Sequence, residues 1–370
     1  MDNKKIRQSE PAISRYMHQK GALLGVPVSG SFEITPRCNF NCKMCYVHMT
    51  DEEIHQSGKK ELSADQWLGI ASDAMDSGML FLLLTGGEPF IRKDFEVIYS
   101  ELKKMGLMVS LNSNGSMLDD ERMHLLLKNP PARINITLYG GSDATYERLC
   151  GRPVFHKVIN HIRKLKEAGI SIRLNVSVTP DNCHDIEKIY QIAKELGIHA
   201  KSTTYMFPSI RLGDNIPGIS KCRFEPEEAA EYMLKCQEQY MTLEQLKAAA
   251  HSPLLECREC ADDERSGIRC RAGRSTFWMT WDGKMMPCGM MNDSGQSVLE
   301  LGFKKCWELV RLKTEQIRLP LACAGCEYRD ICNVCAASCY AETGGFENKP
   351  EYICQFVKSM RRMTEKKYSK

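Results

Sequence analysis

The sequence predicts an α/β protein, a partial (β/α)6 TIM-like barrel followed by a small cysteine-rich domain. Three observations carry this expectation. Between Ser31 and about Tyr205, short β-rich runs alternate six times with longer amphipathic ones, the pattern of parallel strands wrapped by helices. Two helical stretches end in glycine, at Ala168-Gly169 and Leu196-Gly197, where a left-handed C-cap is expected. The cysteines are also unevenly spread, with seven of the 18 in residues 1–250 and eleven between Cys257 and Cys354.

The expected strands are Ser31–Thr35, Leu80–Thr85, Met108–Ser113, Arg133–Leu138, Ile170–Thr179 and Ile198–Thr204. Between them lie helical patterns at Ser63–Ser77, Lys93–Met105, Leu118–Leu127, Val154–Ala168 and Asn182–Leu196. Right-handed crossovers then place the chemistry at the C-terminal ends of the strands. Glu225–Ala250 reads as one long helix, after which Gly, Pro and Cys set the spacing. The expected organisation is an N-terminal extension (1–30), the barrel (31–215), a helical bridge (216–255), the cysteine-rich domain (256–357) and a frayed basic tail (358–370).

The chain has 370 residues, 43% hydrophobic and 26% charged, enough to bury a sizeable core. A net charge of +3 points to neither nucleic acid nor a membrane surface. No apolar run is long enough to span a bilayer, and the N-terminus leads into no secretory signal. A cytoplasmic location is therefore expected. In a reducing compartment, cysteines at this density serve metal binding or thiolate chemistry rather than disulfides.

Immediately after the first strand comes Cys38-Asn-Phe-Asn-Cys42-Lys-Met-Cys45-Tyr46. Three thiolates on one short loop can hold three corners of an iron–sulfur cube and leave the fourth iron open. The alternative, a structural zinc site, would need a further ligand such as His48. At the end of the second strand stands Thr85-Gly86-Gly87-Glu88-Pro89, where glycines permit close backbone approach and a carboxylate suits an ammonium group. Asn112-Ser113-Asn114-Gly115 follows the third strand.

In this order the motifs resemble those of the radical S-adenosylmethionine (SAM) superfamily. The resemblance implies a [4Fe–4S] cluster on Cys38, Cys42 and Cys45, with SAM bound to its open iron and cleaved reductively to a 5′-deoxyadenosyl radical. It implies that Gly86, Gly87 and Glu88 meet the methionine amino group, and that Asn112 and Asn114 form the ribose-contacting turn. Asn175 falls where the family contacts SAM. Thr137, in Thr137-Leu-Tyr-Gly140, replaces the Ser of a Ser-Leu-Asp-Gly pattern and is a candidate carboxylate contact, as is Arg152. Tyr46 and Phe40 would shield the cluster.

The second cysteine region contains Cys257-Arg-Glu-Cys260, then Cys270-x12-Gly283-x4-Cys288, then Cys323-x2-Cys326-x5-Cys332-x2-Cys335, with Cys339 and Cys354 beyond. Spacing alone also suits zinc ribbons. The pattern resembles the SPASM extension of radical SAM enzymes, which implies two auxiliary [4Fe–4S] clusters. The first would take Cys270, Cys288 and Cys335, with Cys260 or Cys257 as fourth ligand and Cys339 as an alternative to Cys335. The second would take Cys323, Cys326, Cys332 and Cys354. Cys150, Cys183, Cys222, Cys236 and Cys306 stand alone and read as small buried residues. Cys183 and Cys222 are in addition candidates for a proton donor or substrate contact.

Enzymes with this extension act mostly on peptides or proteins. The expected function is oxidative modification of a peptide or protein substrate, in the first place a thioether or related cross-link in a ribosomally made Cys-containing peptide. The alternatives are a sulfatase-maturase-like Cys/Ser dehydrogenase, a cyclitol-type dehydrogenase and, outside enzymes, an iron–sulfur electron carrier. An electron donor such as flavodoxin or ferredoxin is an implied partner. Only about 30 residues precede the first strand, so no leader-binding domain is expected here; a separate leader-binding protein or the barrel itself would read a leader. Thr203–Arg211 would lie at the barrel mouth and line the substrate channel.

Overall fold

The structure, a computed structural model, describes residues 10–208, 218, 220, 222–255, 267–291 and 295–369. Six strands follow in order: β1 (Ser29–Glu33), β2 (Phe81–Thr85), β3 (Met108–Ser113), β4 (Arg133–Thr137), β5 (Ile172–Ser177) and β6 (Ala200–Thr203). Each pairs in parallel with the next, as strand–helix–strand crossovers require. All six expected strands are present, with ends within two residues of those read from the sequence.

Parallel register sorts the side chains into two faces. Phe32, Leu84, Leu111 and Ile134 lie in one row across β1 to β4. All four are fully buried against the helices, as are the neighbouring Ile136 and Leu174. The other face is polar along the lumen. Glu33 lies beside Thr85, Asn112 beside Asn135, Asn135 beside Arg173 and Thr137 beside Asn175. The apolar face supplies the stability, and the polar face is left for ligands.

Helices Ala64–Asp76, Phe95–Lys104, Asp120–Lys128, Phe155–Glu167 and Ile186–Leu196 occupy the expected crossovers. Their starts are written in the sequence. Ser63 and Gln66 form a capping box, and the Asp119 side chain accepts from Arg122 N. Gly169 and Gly197 have φ of 76° and 59°, the left-handed geometry expected after the helices that precede them.

Three elements depart from the sequence reading. The expected single helix over Glu225–Ala250 is two helices, Pro226–Tyr240 and Leu243–Ala250, because Thr242 opens a new capping box with Gln245. The supposed frayed tail belongs to a helix, Glu351–Tyr368. Two of its basic side chains pair with the Pro226–Tyr240 helix: Lys367 with Glu238 at 2.7 Å, and Arg362 with Glu227. The N-terminal extension contains a helix, Ala12–Leu24, stopped by Gly25 at φ 72°.

Beyond β1 the sheet continues through β7 (Thr276–Met279), β8 (Lys284–Met286) and β9 (Gln296–Ser297). β7 runs parallel to β1, and β8 and β9 are antiparallel. The indole N–H of Trp278 donates to the buried Glu33 carboxylate at 3.0 Å, tying β7 to the barrel. A second, smaller apolar core gathers Met291, Ile317, Leu319, Val334 and Ile353 around Cys323 and Cys339.

Candidate active site

At the C-terminal ends of the strands lies a cavity of about 360 Å³. Cys38, Cys42 and Cys45 line it together with Tyr46, Gly86, Gly87, Asn112, Asn114, Thr137 and Asn175. The structure thus brings together most of the residues singled out in the sequence. Tyr205, Met206 and Phe207 form part of its wall, while Ser209–Arg211 of the same segment lie outside the described residues.

The cysteine loop is held from outside. Asn41 N and Lys43 N donate to the carbonyls of Cys150 and Leu149, which close the Asp143–Cys150 helix. Phe40 packs edge-on against Tyr139 and Tyr146, with centroids at 6.0 and 6.5 Å. Sulfurs accept backbone N–H groups, Cys38 from Phe40 at 3.4 Å and Cys45 from His48 at 3.3 Å.

The two glycines have a sharper reason than ligand approach. Gly87 N donates to Thr35 O at 2.8 Å, and Glu88 N to Arg37 O at 2.9 Å, so the turn after β2 lies directly on the turn after β1. A Cβ on Gly87 would stand 2.1 Å from Arg37 O, and one on Gly86 2.3 Å from Thr35 O.

Glu88 is fully buried and does not line the cavity. Its carboxylate accepts from Asn114 N at 2.7 Å, Ser113 Oγ at 3.0 Å and Phe90 N at 3.3 Å. It therefore positions the turn after β3, where Asn114 Nδ2 reaches Asn39 Oδ1 at 2.9 Å and Cys38 Sγ at 3.8 Å. Burial pushes Glu88 up to about 7, against the opposing pull of its hydrogen-bond donors. The folded chain thus holds this proton more tightly than the unfolded chain. The resulting stabilisation is complete below the ordinary value of 4.5 and is lost as pH rises through 7. The unfolding free energy of wild type relative to Glu88→Gln is expected to fall by about 3 kcal/mol between pH 5 and pH 8, read by anaerobic chemical denaturation.

Three candidates stand elsewhere. Arg152 is exposed and follows the left-handed cap Gly151 of the Asp143–Cys150 helix; it lines a neighbouring groove with Asp119, Arg122 and Lys157 that meets the cavity only at Phe40. Cys183 donates to Pro180 O at 3.7 Å and Cys222 to Asp181 Oδ2 at 3.6 Å, and neither lines the cavity. Conversely, Ser113 and Tyr139 line it and were not singled out as ligand contacts. The signal for Tyr139 was its place in Thr137-Leu-Tyr-Gly140, where the resembling pattern has Asp. Cys150 is fully buried and lies beside Cys42, lowering the Cys42 thiol through a side-chain hydrogen bond.

In the second cysteine region, burial pushes the Cys323 thiol up to about 11, and neighbouring Cys354, Cys332 and Cys326 add to this. Cys270 and Cys288 line one cavity of about 950 Å³. Cys335 caps the Ala336–Thr343 helix, its sulfur accepting Ser338 N at 3.4 Å, while Cys339 is fully buried in the small core. Cys257 and Cys260 lie outside the described residues.

The donor set at the barrel mouth fits an iron–sulfur cluster. Three thiols line one cavity, and two of them take the backbone N–H bonds that suit thiolates. Burial raises the Cys38 thiol to about 12, so a cation is required to ionise it near neutrality. Among the described residues no three His, Cys, Asp or Glu side chains close on one point as a single ion demands.

The sequence matches the Radical SAM superfamily over residues 32–193. The AdoMet-dependent heme synthase of Methanosarcina barkeri (strain Fusaro / DSM 804) is 25% identical over 345 residues, covering 90% of this chain and 97% of the relative. Streptococcus suis SuiB bound to precursor peptide SuiA superposes with a TM-score of 0.66 at 18% identity, covering 93% of this chain and 80% of that one. Native anSMEcpe with bound AdoMet and Cp18Cys peptide superposes at 0.65 and 15% identity, covering 93% and 98%. With the cysteine loop, the Gly-Gly-Glu-Pro turn and the parallel barrel assembled around one cavity, residues 32–193 form a Radical SAM domain, the mark of an enzyme that uses a [4Fe–4S] cluster and SAM.

Proposed function

We propose that the enzyme oxidatively modifies a peptide, forming a thioether or related cross-link at a Cys-containing sequence. In this reading Cys38, Cys42 and Cys45 hold the cluster, and Gly86, Gly87, Asn112, Asn114, Thr137 and Asn175 receive SAM. When bound, these cofactors supply a 5′-deoxyadenosyl radical that takes a hydrogen atom from substrate. The chain's own part is to hold and exclude. Glu88 locks the turn carrying Asn114, Tyr46 and Phe40 cover the cysteine loop, and Tyr205, Met206, Phe207 and Met290 keep water from the reacting end.

One observation carries the choice of substrate. Among the described residues lining the cavity there is no Lys, Arg, His, Asp or Glu, which suits a neutral peptide side chain. The structural likeness to SuiB and anSMEcpe, each seen with a peptide, supports the same reading. The heme synthase relative favours a second one, a tetrapyrrole, since its match spans nearly the whole of both chains.

The discriminating experiment incubates the anaerobic enzyme with dithionite, SAM and either a Cys-containing peptide library or carboxylated porphyrinogens, read by mass spectrometry. Loss of two hydrogens from a peptide with its Cys thiol consumed is the expected result. Conversion of the tetrapyrrole with every peptide untouched overturns the reading.

The same proposal assigns Cys323, Cys326, Cys332 and Cys354 to one auxiliary cluster and Cys270, Cys288 and Cys335, with Cys260 or Cys257, to another. The mutual proximity of the first four supports their grouping. The helix-terminal position of Cys335 favours it over Cys339, since N–H groups there stabilise a thiolate. Replacing Cys323 and Cys332 by alanine is expected to lower iron content by about four per chain. Substrate-free SAM cleavage should persist, as assayed by 5′-deoxyadenosine release.

A further inference from the structure

The lumen holds a second cavity, at the opposite end of the strands. It measures about 820 Å³ and is lined by Ser29, Ser31, Ser110, Arg133, Arg173 and Arg271, with the Ala12–Leu24 helix contributing Ser14 and His18. A hydrogen-bonded floor separates it from the cluster-side cavity. Asn135 Nδ2 donates to Asn112 Oδ1 at 2.8 Å, and Asn112 Nδ2 to Thr85 Oγ1 at 3.2 Å. Asn112 faces the upper space and Asn135 the lower.

The charges in the lower cavity do not balance. Glu10 is its one lining carboxylate among the described residues, and Arg271 already holds both oxygens, at 2.7 and 2.6 Å. His18 has Nδ1 3.0 Å from Ser275 Oγ, and burial lowers its affinity for a second proton. Arg133 and Arg173 therefore face the space with no acidic partner. Register pairs Asn135 with Arg173, so Arg133 is the diagonal neighbour on the same face. Arg133 donates Nε only to the neutral Asn135 Oδ1, at 3.1 Å, and is pushed below its ordinary value by burial and then by Arg173. The Nε of Arg173 is buried and has no hydrogen-bond partner. Two neighbouring half-buried guanidinium groups, one with a buried orphaned donor, repel each other and leave that donor unpaired unless an anion lies between them.

We propose that the lower barrel lumen binds a multiply charged anion, a phosphate group or a dicarboxylate, held by Arg133 and Arg173. The guanidinium fork matches both oxyanions, and Ser29, Ser31 and Ser110 supply hydroxyls to the remaining oxygens. The site is independent of the substrate reading above, since it shares no lining residue with the cluster-side cavity.

The test is calorimetric titration of inorganic phosphate, and separately of succinate, into the anaerobic reconstituted full chain at constant ionic strength. Saturable one-to-one binding is expected, with affinity at least tenfold lower in Arg173→Met and in Arg133→Met. Either anion binding alone supports the site and identifies its chemistry. Thermal unfolding guards against a folding defect. Arg173→Met should melt no lower than wild type without anion, and whichever of the two anions binds should raise the midpoint of wild type only. Absence of saturable binding by both anions, or equal affinity in wild type and both variants, overturns the proposal.

Discussion

Replacing Cys38, Cys42 and Cys45 together by alanine is expected to remove about four irons per chain and to abolish 5′-deoxyadenosine formation. The effect should be total because no other described thiol lining the cavity can take over a corner. Cys150, though beside Cys42, is fully buried behind it and carries the backbone carbonyl that fixes the loop. The same arrangement predicts that the variant still folds. Its loop remains anchored through Asn41 N and Lys43 N, and Phe40 remains packed on Tyr139 and Tyr146. Circular dichroism should therefore be unchanged while iron and product fall together. A variant that retained product formation would show the radical chemistry to reside elsewhere.

A single added methyl group at Gly87 is expected to be nearly as damaging by a different route. Alanine there would bring Cβ within 2.1 Å of Arg37 O and 2.8 Å of Pro36 O, both backbone atoms of the turn leading to Cys38. Neither can move without breaking the bonds from Gly87 N to Thr35 O and from Glu88 N to Arg37 O. The expected loss is about 3 kcal/mol of stability, together with poor cluster retention. Gly69→Ala is the matched control. That glycine lies in the Ala64–Asp76 helix with nothing near its missing Cβ, so alanine should raise helix stability by about 0.5–1 kcal/mol. Denaturation midpoints and iron content of the two variants check the contrast. Gly87→Ala behaving like Gly69→Ala would contradict the tight turn-on-turn packing.

The strands were legible because a parallel sheet writes its buried face as a regular run of Ile, Leu and Val, as in Arg133-Ile-Asn-Ile-Thr137. The cysteine loop and the glycine turn were legible because their residue types leave few other uses. What the sequence hid was direction and distance. Glu88 read as an ammonium partner, yet it turns inward to hold Asn114, and only the placement of β3 beside β2 reveals it. Arg152 read as a carboxylate partner, but nothing local says on which side of the barrel the loop after the Asp143–Cys150 helix emerges. The pairing of β7 with β1 joins residues some 245 apart, Trp278 to Glu33 among them, and no local pattern encodes it. The break before Leu243 was present in the letters, since Thr242-Leu-Glu-Gln245 is a capping box inside a run of helix formers.

The most direct test of the central claim is anaerobic reconstitution, a count of iron and sulfide, and a search for 5′-deoxyadenosine after addition of dithionite and SAM. About twelve irons per chain with 5′-deoxyadenosine released is the predicted result, one cluster on Cys38, Cys42 and Cys45 and two in the second cysteine region. Tightly held zinc, no iron and no SAM cleavage would contradict the account.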